Sequence, residues 1–324
     1  MSRLRIFVDL AIPPDVMPVL LEGAAGHDLM FPVAAASSVL NNGEIDPQFA
    51  TADIAFGQPA VKAIENAPAL KWVHVSSSGI TRYDTPEFRK LAREKGLALS
   101  NSASVHQESC ATQALCFMLA QARRLPLALK TRAESGSEAW WHIRGTSVPL
   151  RGQTILILGY GAIGRRLTEM LRPFGMKTMA YRRTARGDEG VPVITQEGLG
   201  KALAEADHVM NILPDSTETR GFFDAARFTA IKPGAVFYNI GRGTTMDQMA
   251  LVETLRSGHL AAAWLDVTDP EPLPDDHPLW TTPECFITPH VAGGHVDETG
   301  ALVRHFINNL QRFVQNQPLA DRVM

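Results

Sequence analysis

The chain has 324 residues, 45% of them hydrophobic and 20% charged, with a formal net charge of -3. That length exceeds what one hydrophobic core usually fills and favours two domains. The weak negative charge argues against a nucleic-acid partner held by a general basic field. No apolar run approaches membrane-spanning length. The N-terminal "MSRLRIFVDLAIPPD" reaches Asp9 and a Pro-Pro pair before any signal-like core develops. Three cysteines make no disulfide framework, and Cys110 and Cys116 would fall on different faces of a helix, with no metal-site spacing. A cytoplasmic protein with neither a nucleic-acid nor a membrane partner is the expectation.

In chain order, β-rich runs near 4–9, 28–32, 52–56, 71–75 and 97–99 alternate with helical patterns and predict one small doubly wound sheet. A long helical stretch, "VHQESCATQALCFMLAQARR", follows over 105–124. A second series of strands is predicted at 154–158, 177–181, 207–211, 235–239, 261–265 and 285–288. Its six members match the count of a complete dinucleotide-binding sheet. The helical pattern at 297–317 has no role in that count and is assigned to the first domain. Residues 270–279, "PEPLPDDHPL", read as a Pro- and Asp-rich loop.

"TILILGYGAIGRRL" is a β-run that turns through Gly159, Gly161 and Gly164 into an amphipathic helix. The first glycine permits the tight turn, the second lets backbone approach a pyrophosphate, and the third allows close helix–strand packing. The helix N-terminus, with Ala162 and Ile163 beside these glycines, offers unpaired N–H groups and a positive dipole end. An ordinary glycine turn is the plain alternative. The next strand, "KTMAY", ends where an acidic side chain would normally take the adenosine ribose hydroxyls. Arg182, Arg183 and Thr184 stand there instead. Guanidinium groups hold a 2′-phosphate by charge-assisted hydrogen bonds, so NADP is the expected cofactor. NAD is the alternative, because arginine also stacks on adenine, and the cluster on its own reads as a solvated basic loop.

Ligands of an open parallel sheet bind beyond the carboxyl ends of its strands. Three late strands are each followed by a residue suited to carbonyl chemistry: Arg242 in Gly241-Arg242-Gly243, Glu271 in "DPEP", and His290 after "CFITP". Arg242 would fork a 2-oxo acid. A protonated His290 would give a proton to the developing alkoxide. Glu271, bonded to the other ring nitrogen, would fix the tautomer and favour imidazolium. Singly, each has an ordinary reading as a structural histidine, a loop carboxylate or a surface charge. Their order after those strands favours the joint one.

These stretches, with "NILPDSTETRGFF", "KPGAVFYNIGRG", "LDVTDPEPLPDDHPLW" and "ITPHVAGG", closely resemble the D-isomer-specific 2-hydroxyacid dehydrogenases. The likeness covers 150–294 nearly continuously and is weaker in "VSSSGITRYD" and the last helix. It implies that Arg242, Glu271 and His290 are the catalytic arginine, glutamate and histidine, and that Asp266 meets the nicotinamide carboxamide. Pro214, Thr219 and Ile240 complete the expected cofactor-binding set. The implied fold is α/β, with two doubly wound parallel-sheet domains and an active-site cleft between them. A smaller flavodoxin-like substrate domain would comprise 1–100 plus 292–324, and a Rossmann cofactor domain 101–291. The crossings are expected near Ser100-Asn101 and Gly293-Gly294. Ser78 and Gly79 would lie in the loop whose N–H groups, with Arg242 and His290, bind the substrate.

Thr81 stands where the family often has Asp, although Asp84 keeps the second acidic position, and Thr112-Gln113 replaces a frequent Glu-His pair. These departures bear on the substrate pocket. Trp140-Trp141 reads either as core or, by the family likeness, as part of a homodimerisation arm. The expected function is reduction of a small 2-oxo acid of glyoxylate or hydroxypyruvate type with NADPH, because "SSSG" is small and polar. A formate dehydrogenase-like oxidation is disfavoured, since that relative carries glutamine where Glu271 stands. A dinucleotide-sensing corepressor on the same fold is the rival from another class.

Overall fold

The computed structural model describes residues 3–33 and 45–324. The chain divides into two compact units, Met1–His106 with Gly294–Met324, and Gln107–Gly293. The described part of the first unit begins with β1 (Arg5–Asp9), α1 (Met17–Gly23), β2 (Asp28–Met30), β3 (Ile54–Gly57) and α2 (Val61–Glu65). It continues with β4 (Trp72–Val75), α3 (Pro86–Lys95), β5 (Ala98–Ser100) and the start of α4 (Ala103–Ala122). The five strands pair in parallel in the order β2-β1-β3-β4-β5, the flavodoxin-like arrangement.

Because side chains alternate along a strand, each strand feeds two cores. Phe7, Ala55, Val73, Val75 and Leu99 enter one cluster. Ile6, Val8, Ile54, Phe56 and Trp72 enter the other. Strands buried on both faces read as continuous apolar runs, which explains why the short segments here were visible in sequence.

The second unit contains α5 (Leu125–Lys130), α6 (Glu138–Thr146), β6 (Thr154–Leu158), α7 (Ala162–Leu171), β7 (Lys177–Tyr181) and β8 (Val193–Ile194). It goes on through α8 (Leu199–Glu205), β9 (His208–Asn211), α9 (Ala225–Ala230), β10 (Val236–Asn239), α10 (Gln248–Arg256), β11 (Ala262–Leu265) and β12 (Cys285–Ile287). Its parallel sheet runs β12-β11-β10-β9-β6-β7-β8. Leu156, Leu158, Val209, Phe237 and Leu265 fill one face; Ile155, Ile157, Met210, Tyr238 and Trp264 fill the other.

This sheet has seven strands, one more than the sequence predicted. The missing member is β8, a two-residue edge strand paired only with Ala180 and Tyr181. It occupies the third position of the Rossmann order, so the six legible strands are not the six of the dinucleotide fold. β12 is the addition. Two residues behind Pro192 carry too little alternation to be read as a strand.

α11 (Glu298–Val314) closes the chain's helical part and belongs to the first unit. Leu302, Val303, Phe306 and Leu310 pack with Leu4, Ile6, Val8 and Trp72, and Phe306 stacks on Phe56 at 4.4 Å between ring centroids. The tail beyond it docks on β5: Val323 N–H donates to Leu99 O at 2.8 Å. No helix among the described residues is long and apolar enough to cross a membrane.

Candidate active site

The glycine turn follows β6. Gly159 has φ +92°, and a Cβ there would lie 2.4 Å from the Ile212 carbonyl oxygen, so a side chain is excluded twice over. Gly161 caps α7 without a side-chain hydrogen bond, and a Cβ on it would meet nothing within 4 Å. Backbone therefore borders open space where the N–H groups of Ala162, Ile163 and Gly164 start the helix. A dinucleotide pyrophosphate fits that cradle.

Beyond β7 the arginines separate. Arg182 is largely buried and donates from a terminal guanidinium nitrogen to Glu189 Oε1 at 3.2 Å. Glu189 also accepts from the backbone N–H groups of Arg186 (2.7 Å) and Gly187 (2.9 Å). These backbone hydrogen bonds, with the Arg182 charge, hold its carboxyl below the usual range against some burial. Arg182 is thus committed inside its own loop. Arg183 has 81% of its side chain exposed and lies 3.7 Å from Glu218; Thr184 is exposed. Glu189 was not singled out in the sequence, where "RGDEG" reads as a polar turn.

After β9, Thr219 spends its hydroxyl on the local turn. It donates to Pro214 O at 2.5 Å and accepts from Ser216 N at 2.9 Å. After β10, Ile240 is 5% exposed and packs in the core.

Arg242 lies two residues after Ile240. Its carbonyl accepts from Asn239 Nδ2 at 3.1 Å and Thr245 Oγ1 at 2.6 Å, which fixes the backbone beneath the guanidinium. A Cβ on Gly243 would sit 2.0 Å from Thr268 O, so glycine lets this loop pass against the one after β11. Burial pushes the Arg242 guanidinium below its ordinary value, while Glu271, Cys110 and Asp215 act against that. An arginine remains charged through such a change.

Glu271 lies in a segment where both X–Pro bonds, Asp269–Pro270 and Glu271–Pro272, are cis. Its Oε1 accepts from Thr268 N at 2.9 Å and its Oε2 lies 2.8 Å from His290 Nδ1. Burial would raise the Glu271 carboxyl. Hydrogen bonds from His290 and Thr268 and the charges of His290 and Arg242 outweigh it and hold the group below its ordinary value. An ionised carboxylate only accepts, so Nδ1 carries a proton and Nε2 is the working nitrogen. His290 itself has φ +52°, left-handed backbone that costs a non-glycine residue about 1 kcal/mol or more.

Asp266, at the end of β11, is 1% exposed. Its Oδ1 accepts from Thr288 Oγ1 (2.6 Å) and Val291 N (3.0 Å), and its Oδ2 from Ala292 N (2.9 Å). In the sequence Asp266 is a carboxylate at a strand end, which the family likeness assigns to the nicotinamide carboxamide. Its engagement with the loop around His290 depends on tertiary proximity, and residue spacing does not encode it.

In the first unit, every carbonyl of the loop after β4 is tied back. Ser76 O faces His106 Nε2 at 3.1 Å, and Ser77 O accepts from Ser102 N at 3.1 Å. Ser78 O accepts from Asn101 Nδ2, and Gly79 O from Ser77 Oγ, each at 2.6 Å. Buried Gln58 donates to the hydroxyls of Ser76 (3.2 Å) and Ser77 (2.9 Å). The N–H groups of Ser77, Ser78 and Gly79 have no acceptor among the described residues. Consecutive amides of this kind form an anion-binding concavity. Asp84 is held by Arg89 Nε at 2.8 Å, while Thr81 is exposed.

The chain and its fold resemble known proteins. Residues 115–292 match the D-isomer specific 2-hydroxyacid dehydrogenase NAD binding domain. A human glyoxylate reductase/hydroxypyruvate reductase is 30% identical over 256 residues, covering 78% of this chain and 77% of the relative. A glyoxylate reductase of Aeropyrum pernix is 31% identical over 262 residues, with 78% and 76% covered. The fold superposes on the crystal structure of an NADPH-dependent glyoxylate/hydroxypyruvate reductase from Sinorhizobium meliloti in complex with NADP and malonate. That match has a TM-score of 0.76 and 26% identity, and covers 99% of this chain and 97% of the other. With a dinucleotide cradle on the second sheet and a family match over more than half its length, the chain belongs to the D-isomer specific 2-hydroxyacid dehydrogenases, oxidoreductases with an NAD-binding domain.

Proposed function

We propose that this protein reduces a small 2-oxo acid, of glyoxylate or hydroxypyruvate type, to the 2-hydroxy acid with NADPH. The observation that carries the reading is the 2.8 Å contact between His290 Nδ1 and Glu271 Oε2, with the charge of the half-buried Arg242 helping to hold Glu271 ionised. The nicotinamide, when bound, supplies the hydride. Arg242 presents a planar fork that holds the substrate carboxylate and polarises its carbonyl. His290 delivers a proton from Nε2 to the oxygen as charge develops there, and Glu271 stabilises the imidazolium through Nδ1. Within the first unit, the amides of Ser77, Ser78 and Gly79, which have no acceptor among the described residues, form a concavity suited to a carboxylate. The substrate class also draws on the names of the two relatives and on the small side chains of the 76–79 loop.

NADPH is favoured over NADH because arginines, in place of an acidic residue, follow β7 and Arg183 is exposed there. Arg182, being paired with Glu189, supports the loop and Arg183 leads the phosphate contact. A homodimer is supported by the segment between α4 and β6. There α5 and α6 bury no residue, and Leu129 (77%) and Trp141 (59%) stand exposed. The functional test is loss of NADPH absorbance with a panel of 2-oxo acids. Turnover of glyoxylate or hydroxypyruvate is the expected result, and inertness toward every 2-oxo acid would overturn the reading.

A further inference from the structure

We infer that Asp266 is a positioning residue that clamps the loop carrying His290 into its left-handed conformation. The inference rests on His290 being the proton donor. One residue supplies four hydrogen bonds to that loop. Its carboxylate accepts from Thr288 Oγ1, Val291 N and Ala292 N, and its carbonyl accepts from His290 N at 2.8 Å. These contacts bracket His290 on both sides. Thr288 N in turn donates to Leu265 O at 2.9 Å, which seats the loop on the end of β11.

The clamp answers a specific requirement. His290 is one of five described non-glycine residues with positive φ, and such a conformation persists only where its surroundings over-determine it. Without the carboxylate, the N–H groups of Val291 and Ala292 lose their partners and the histidine relaxes away from Glu271. Both carboxylate oxygens are already engaged within this unit, and the side chain is 1% exposed. Loop geometry therefore accounts for an acid at this position, in addition to any contact with the nicotinamide carboxamide.

The test uses Asp266→Asn and Thr288→Val with two readouts. The first is amide hydrogen exchange of the 288–293 segment in cofactor-free protein. The second is kcat with NADPH and with its 3-acetylpyridine analogue, in which a methyl group replaces the carboxamide NH2, the group there that can donate to a carboxylate. Asp266→Asn keeps one acceptor oxygen and sets an amide donor against one of the two backbone N–H groups, that of Val291 or that of Ala292. Exchange should accelerate, and kcat should fall about ten- to a hundredfold with both cofactors alike, the equivalent of one charged hydrogen bond. Thr288→Val, which removes only the hydroxyl donor, should move both readouts the same way by less, with NADPH affinity unchanged. Unaltered exchange in both variants would overturn the clamp, as would a kcat loss confined to the natural carboxamide. His290→Ala, run in parallel, separates the two ideas. Parent-like turnover there removes the proton-donor assignment, while the exchange data still decide whether Asp266 holds the loop.

Discussion

At the residue scale, Arg182 is paired with Glu189 inside its own loop while Arg183 stands exposed. The sequence does not display that pairing, because a carboxylate inside a polar turn looks solvated until the loop closes on it, whereas Arg242, Glu271 and His290 stand out as candidates by type and by following strands. The distinction changes the cofactor experiment. Arg183→Ser should lower the NADPH-over-NADH preference about ten- to a hundredfold in kcat/KM, the equivalent of one charge-assisted pair. Arg182→Ser should act mainly through disorder of the 182–189 loop. A preference unmoved by Arg183→Ser would leave that residue as a solvated charge. Glu271→Gln keeps a hydrogen-bonding partner for Nδ1 but removes the charge that favours imidazolium. The pH profile of reduction should then shift downward, with activity surviving best at low pH. An unchanged profile would uncouple Glu271 from His290.

Among the elements, the tail and α4 form a unit that composition alone does not reveal. Asp321 Oδ2 accepts from Ser104 N at 2.9 Å and Ser104 Oγ at 2.6 Å, so a residue far along the chain caps the first turn of α4. Burial would raise the Asp321 carboxyl, but His305 and Ser104 bring it down to about 2. His305 Nε2 lies 3.3 Å from it, off the line of a good hydrogen bond, so Ser104 is the firmer partner. A depressed carboxyl stabilises the fold above its ordinary value of 3.8, and that contribution is lost as pH falls through about 2. Asp321→Asn should therefore cost about 1 kcal/mol near neutral pH, a typical capping loss, with the gap to the parent narrowing below pH 3.8. Equal denaturation midpoints at pH 7 would remove the cap from the account. Strands were the most legible elements, since burial on both faces leaves unbroken apolar runs. β8 was lost because two residues cannot display a period.

For the whole molecule, the two parallel sheets follow from the alternation of strand and helix, and the cradle from three glycines after β6. Assembly is less legible, because an exposed Trp141 has the same sequence signature as a buried one. If the α5–α6 segment is a dimer surface, Leu129→Ser with Trp141→Ser should convert dimer to monomer in sedimentation analysis; a parent already monomeric would dismiss it. The central claim is that His290 donates the proton in a reduction whose cofactor is held elsewhere. The most direct measurement is NADPH-dependent reduction of glyoxylate and hydroxypyruvate by the parent and by His290→Ala, with NADPH affinity determined for both. Expected are turnover by the parent, a loss of about 10²–10⁴-fold in the variant, and NADPH affinity within a small factor of the parent's. Parent-like turnover by His290→Ala would contradict it.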